Sequence, residues 1–156
     1  MQPRMLKRPL KQEEIDDLLA SQKVGHLATL GEDGPYVLPI NYALMGGKVY
    51  LHGRKAGGQK LDNIRADPRI CFAVNSQAGY ETGPTPCDTE AIFQSAIGRG
   101  TARILEDGDP LIEAALLKFA EKFATHIKDP IIEPAKLAVT AVIELTINQW
   151  TGKYYK

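Results

Sequence analysis

Two cysteines, one tryptophan and no long apolar run are what this 156-residue chain has least of, and each scarcity removes a class of protein. Cys71 and Cys87 lie apart. They are too few for a disulfide framework and lack the four closely grouped ligands of a structural zinc site, so no metal is expected and both thiols should be reduced. No stretch is apolar enough to span a bilayer, and the basic residues within Met1 to Leu10 have no apolar run behind them, as a signal peptide would. A cytoplasmic protein with no membrane partner is the expectation. Net charge is also missing, because 19 basic side chains balance 19 acidic ones. No overall field draws nucleic acid, which is not expected as a partner, and attraction for an anion must be local. The length fits one domain over residues 1–156.

Local attraction is found at residues 48–64, Lys-Val-Tyr-Leu-His-Gly-Arg-Lys-Ala-Gly-Gly-Gln-Lys-Leu-Asp-Asn-Ile. A strand-like run ends there in a glycine-rich segment whose cations, Arg54, Lys55 and Lys60, have no acid among them. Gly53, Gly57 and Gly58 let backbone N–H groups approach an anion without side-chain obstruction. A short helix over Leu61 to Ala66 would add its N-terminal N–H groups. His52, at the strand end beside this stretch, is a reasonable contact to a phosphate or a ring.

The rest of the chain reads as strands with a few helices. Lys11 to Ser21 places Ile15, Leu18 and Leu19 on one helical face. Val24 to Leu30, Tyr36 to Leu44, Lys48 to His52 and Arg69 to Asn75 read as strands, the second interrupted only by Pro39. Proline cannot donate to a ladder, so Pro39 marks an edge, a bulge or a place where a ligand meets the backbone. Residues 76–90 read as a long loop. Ala91 to Leu105 reads as a strand bent at Gly98 and Gly100. Asp109-Pro110 opens a helix running to about His126, with Ile112, Ala115, Leu116, Phe119, Ala120 and Phe123 as its buried stripe. Ala138 to Asn148 closes the chain as a strand. About six strands in hairpin order predict a mainly β, α+β fold built on an antiparallel barrel.

Two phosphate motifs fail. Gly58 is followed by Gln59, Lys60 and Leu61, so no hydroxyl stands where a P-loop places one for magnesium. Gly98-Arg99-Gly100 interrupts a strand instead of opening a helix, unlike a dinucleotide fingerprint. No cysteine or carboxylate pair carries a local signature of nucleophilic or acid–base catalysis, so no catalytic residue is assigned. His26 reads as a strand residue and Cys71 as a strand thiol. Trp150 is either core filling or a flat surface for an aromatic ring.

Gly25-His26-Leu27-Ala28-Thr29, Gly34 to Tyr42, Val49-Tyr50-Leu51-His52-Gly53 and Lys60-Leu61-Asp62-Asn63-Ile64, together with Asp67 to Phe72, Ser95 to Gly100 and Thr151-Gly152-Lys153, resemble the pyridoxamine 5'-phosphate oxidase-like flavoproteins. The likeness is strongest to the nitroimidazole-resistance (Nim) branch. It implies an antiparallel split β-barrel of the FMN-binding type, a homodimer with FMN at the interface, and electron transfer from NADH or NADPH through the flavin to a small acceptor such as a nitroaromatic compound. The flavin-lining strand of the family carries over to Leu38, Pro39, Ile40 and Asn41, and its phosphate-holding segment to His52, Gly53, Gln59 and Lys60. Arg54 and Lys55 join them on charge alone, and Trp150 stands where some relatives bring a tryptophan to the cofactor. Nim-like members commonly show Gly-His-Lys-Leu where this chain has Gly57-Gly58-Gln59-Lys60-Leu61, with no histidine. A flavin-binding module with little turnover, or a split barrel holding haem or a deazaflavin, are the alternatives.

Overall fold

A computed structural model describes residues 7–155. Helix α1 (Gln12–Ser21) precedes strands β1 (Val24–Gly31), β2 (Gly34–Met45) and β3 (Lys48–Arg54). Helix α2 (Gln59–Ala66) then leads to β4 (Arg69–Glu81), a 3-10 turn (Pro86–Asp88) and β5 (Glu90–Ile104). Helices α3 (Leu111–Phe123) and α4 (Pro134–Val139) come before β6 (Thr140–Tyr155). The strands close in the order β1-β2-β3-β6-β5-β4, antiparallel throughout. The expected antiparallel split barrel is the observed fold.

Strand alternation places one apolar set inside the barrel, where Leu27, Tyr42, Leu51, Phe72, Val74, Ile143 and Leu145 are buried, and α1 adds Ile15, Leu18 and Leu19. A second core lies outside the barrel wall. There Ala43, Tyr50 and Val142 meet Ile112, Ala115, Leu116 and Phe119 of α3. Strands sandwiched between these two cores lose their alternation, which is why Ala141 to Leu145 is buried at every position. Helix α3 begins at Leu111 with Pro110 as its N-cap, one residue later than expected, and the Asp109 carboxylate accepts a bond from the Leu111 N–H at 2.9 Å.

Several boundaries differ from the sequence reading. Residues 76–90 are not one long loop: β4 continues to Glu81 and β5 begins at Glu90, the two pairing past the barrel rim with a register shift between Gln77 and Gly79. Main-chain pairing sustains this arm without an apolar signal, since Glu81 and Tyr80 are exposed. Helix α2 begins two residues early, at Gln59, and α3 stops at Phe123, because beyond it Thr125 to Asp129 are exposed and offer no buried face. Ala138 and Val139 belong to α4, and β6 runs on to Tyr155 rather than stopping at Asn148. Arg99 pairs with Gln149 and Gly100 with Ile147, which leaves Asn148 as the extra residue of a bulge. The strand bends there and continues.

Candidate functional site

Strand β2 changes partner midway. Gly34 to Asn41 pairs with β1 and Tyr42 to Met45 with β3, the last β2–β3 pair being Tyr42 opposite Leu51. Beyond it β3 remains paired to β6 as far as Arg54 but parts from β2. The barrel wall therefore forks between Asn41 and His52. A cavity of about 360 Å³ fills the fork, lined by Val24, Pro39, Ile40, Asn41 and His52. Pro39 lies in the half of β2 that has β1 as its one ladder partner among the described residues, an edge position that explains why a proline is tolerated without interrupting the strand. Leu38 and Ile40 turn inward against the barrel core, while Pro39 and Asn41 are exposed on the outer face.

The phosphate candidates divide. Lys60 lies across the end of β3, where a Cβ placed on Gly53 would come within 2.6 Å of its Nζ, so the missing side chain is what admits the ammonium. Gly57 and Gly58 hold φ of 108° and 131°, open to glycine and strained for other residues. They turn the chain into α2, whose first internal acceptor, the Gly58 carbonyl, takes the Leu61 N–H at 2.8 Å. The N–H groups of Gln59 and Lys60 precede it and have no acceptor within the helix. Backbone donors and one cation thus converge beside His52. Among the described residues no carboxylate pairs with Lys60 or Arg54.

Lys55 is taken elsewhere. Its ammonium pairs with Asp107 and lines a separate hollow with Asp109 and Leu137. The acid that the local sequence lacked is supplied by a residue 52 positions away. Arg54 is exposed and leaves β3 directly opposite Thr140. Trp150 packs half-buried over Gly98, its cross-strand partner, and is not among the residues lining the fork. It packs against the barrel core.

His52 is the one titratable group among the lining residues. Its ring meets Phe119 edge-on, centroids 4.3 Å apart. Burial of that face, reinforced by the charge of Lys60, lowers its pKa below the ordinary 6.5. The imidazole is therefore neutral at pH 7, able to donate or accept one hydrogen bond at each nitrogen. Val24 and Phe119 were missed as site residues by sequence reasoning. Val24 reaches the fork only through its register with Asn41, and Phe119 had the signal of a helical core stripe. No cluster of three or more His, Cys, Asp or Glu residues able to hold a metal ion occurs among the described residues.

Comparison with known proteins agrees with this architecture. An uncharacterised protein of Rhizobium meliloti (strain 1021) is 31% identical over 70 residues, and the match spans 45% of each chain, less than half of the relative's length. A candidate 5-nitroimidazole antibiotic resistance protein of Bacteroides thetaiotaomicron VPI-5482 superposes with a TM-score of 0.76 at 20% identity, over 93% of this chain and 85% of that one. The FAD and heme binding protein of Mycobacterium smegmatis superposes with a TM-score of 0.78 at 20% identity, over 94% and 72%. At such identities these structures share the fold. The family model for pyridoxamine 5'-phosphate oxidase matches residues 11–154. With that match covering nearly all of a split barrel whose wall forks at Asn41 and His52, the chain belongs to the pyridoxamine 5'-phosphate oxidase family.

Proposed function

We propose that the chain is an FMN-dependent oxidoreductase that passes electrons from NADH or NADPH to a small acceptor such as a nitroaromatic compound. The observation that carries this reading is the juxtaposition of the β2–β3 fork with the Lys60–Gly53 cradle. A planar ring against the free half of β2 would meet backbone groups of Leu38 to Asn41, where Pro39 offers a carbonyl but no N–H, and a phosphate would meet Lys60 and the N-terminal N–H groups of α2. The residues fit FMN on those two counts. Bound there, FMN would supply hydride acceptance from a nicotinamide and delivery of the electrons to the acceptor.

The protein's own contribution is positional. Lys60 binds the phosphate, Val24 and Ile40 exclude water from one side of the ring, and neutral His52 offers a hydrogen bond without adding charge. The homodimer belongs to the same proposal. Val24, Leu30 and Val37 are exposed, and each has the outward parity of its strand on the β1–β2 wall, an apolar face suited to a second copy.

The decisive experiment is mass spectrometry of the ligand released from native protein, followed by anaerobic mixing with NADH and NADPH. FMN is expected, with rapid bleaching and reoxidation by a nitroaromatic. Haem or a deazaflavin in its place would overturn the cofactor assignment, and tight FMN binding without reduction would make the chain a flavin-binding module.

A further inference from the structure

His52 also lines a second cavity of about 370 Å³, within the size range of small-molecule sites. Its base is apolar, formed by Leu116, Phe119 and Ile132. Leu116 and Phe119 are anchored in the core between α3 and the barrel, and Ile132, from the segment between α3 and α4, packs against that core. The rim is polar. Lys136 and Thr140 stand on it, and Thr140 Oγ1 donates to the Lys136 carbonyl at 2.7 Å, tying the two together.

Arg54 adds a second cation. It pairs directly opposite Thr140, and directly opposed residues share a face, so its side chain leaves β3 toward the side that bears this cavity. Glu133 is the one acid in the lining. Among the described residues none of Arg54, Lys136 and Glu133 has an ion-pair partner. Two cations against one carboxylate leave the rim with one positive charge in excess. That balance suits a single negative charge, while Glu133 opposes a second. The base offers an aromatic ring, Phe119, whose contact with another ring is favourable beyond area alone.

We propose that this cavity is a second ligand site that takes a planar aromatic monocarboxylate, its ring against Phe119 and its carboxylate at Lys136 and Arg54. The site shares two groups with the flavin reading, His52, which lines both cavities, and Arg54, a phosphate candidate on charge alone, while Lys136, Leu116 and Phe119 have no part in that reading. A ligand there would lie against the same imidazole that lines the fork.

The test uses flavin-free protein, with 4-nitrobenzoate as the probe and 4-nitrobenzamide as its uncharged counterpart. Saturable shifts are expected at the backbone amides of Leu116, Phe119, Ile132 and Thr140 in a nuclear magnetic resonance titration. Lys136→Glu, an exposed position that leaves the fold alone, should weaken 4-nitrobenzoate roughly threefold to tenfold, as reversal of a surface charge contact does, and barely affect the amide. Leu116→Trp, which fills the base, should weaken both probes. The proposal is overturned by the absence of saturable shifts, by shifts confined to Ile40 and Asn41, or by Lys136→Glu acting equally on both probes. FMN affinity of the unaltered protein is measured separately, so failure of the flavin reading would leave this result standing.

Discussion

Lys60 can lie across the end of β3 because Gly53 has no side chain to block it. Removing a charged hydrogen bond costs about 1.5–3 kcal/mol, so Lys60→Ala should weaken FMN roughly tenfold to hundredfold. Riboflavin, which lacks the phosphate, should bind the variant as it binds the parent. Equal losses for both ligands, read by flavin fluorescence quenching, would remove Lys60 from the phosphate site. His52 offers a second check at this scale. Its folded pKa lies below its unfolded value of 6.5, so the unfolded chain takes the proton first as pH falls. Stability from this group is thus present above about pH 6.5 and is lost as pH drops from there to the folded pKa. A nuclear magnetic resonance titration of His52 should give a midpoint below 6.5 in flavin-free protein and a higher one with FMN, whose phosphate favours the cation. Both residues were legible as candidates, since a basic glycine-rich segment after a strand is a local pattern. Lys55 was legible for the same reason and went elsewhere, because its partner Asp107 is close only in the folded chain.

Strand β5 bends where β6 carries its extra residue. A Cβ on Gly100 would come within 1.9 Å of the Thr146 carbonyl oxygen, a backbone atom that cannot move aside. Gly100→Ala should therefore destabilise the protein by about 3 kcal/mol, read as a lower urea midpoint, with the barrel bend as the element disturbed. The wall formed by β3, β6 and β5 is also held by a charge cluster. Glu144, 2% exposed, accepts bonds from Arg103 Nε, Lys48 Nζ and the Tyr50 hydroxyl, each at 2.8 Å. The Arg103 guanidinium, more than Lys48 and Tyr50, holds its carboxyl down at about 2, against the desolvation that would raise it. Burial first, and then the Glu144 carboxylate, push Tyr50 up to about 12, with the Arg103 charge opposing them. A depressed carboxylate contributes stability that is present above its unfolded pKa, near 4.5, and is lost as pH falls toward 2. Glu144→Gln should remove about 2–3 kcal/mol at neutral pH and flatten acid unfolding between those limits, measured by urea titrations across pH. The glycines were readable as a bend. The cluster was not, because its members are separated by up to 96 positions and meet only through strand register.

The exposed apolar residues Val24, Leu30 and Val37 bear on the assembled molecule. Val37, 64% exposed, is the most open of them. If two copies join across this face, Val37→Asp should convert a dimer to a monomer in sedimentation velocity and weaken FMN with it, since the fork opens on the same wall. A variant that stays dimeric, or a parent that is monomeric, would place the flavin site within one chain. Whole-chain shape was largely foreseeable: strand count, helix α1 and the stripe of α3 follow from periodicity that each segment carries by itself. The arm of β4 and β5 was not, because main-chain pairing holds it where the side chains show no pattern.

Local chemistry alone determined the six strands and the bend near Gly98 and Gly100, and it marked Pro39 as an exception within its strand and Gly53 to Lys60 as a basic, glycine-rich segment. Each rests on interactions between residues near in the chain. Tertiary structure decided which cations remain available, where β2 leaves β3, and that His52 lines two cavities. Those outcomes depend on pairing register and on helix α3 covering the barrel wall, and both join segments whose proximity no short stretch of sequence encodes.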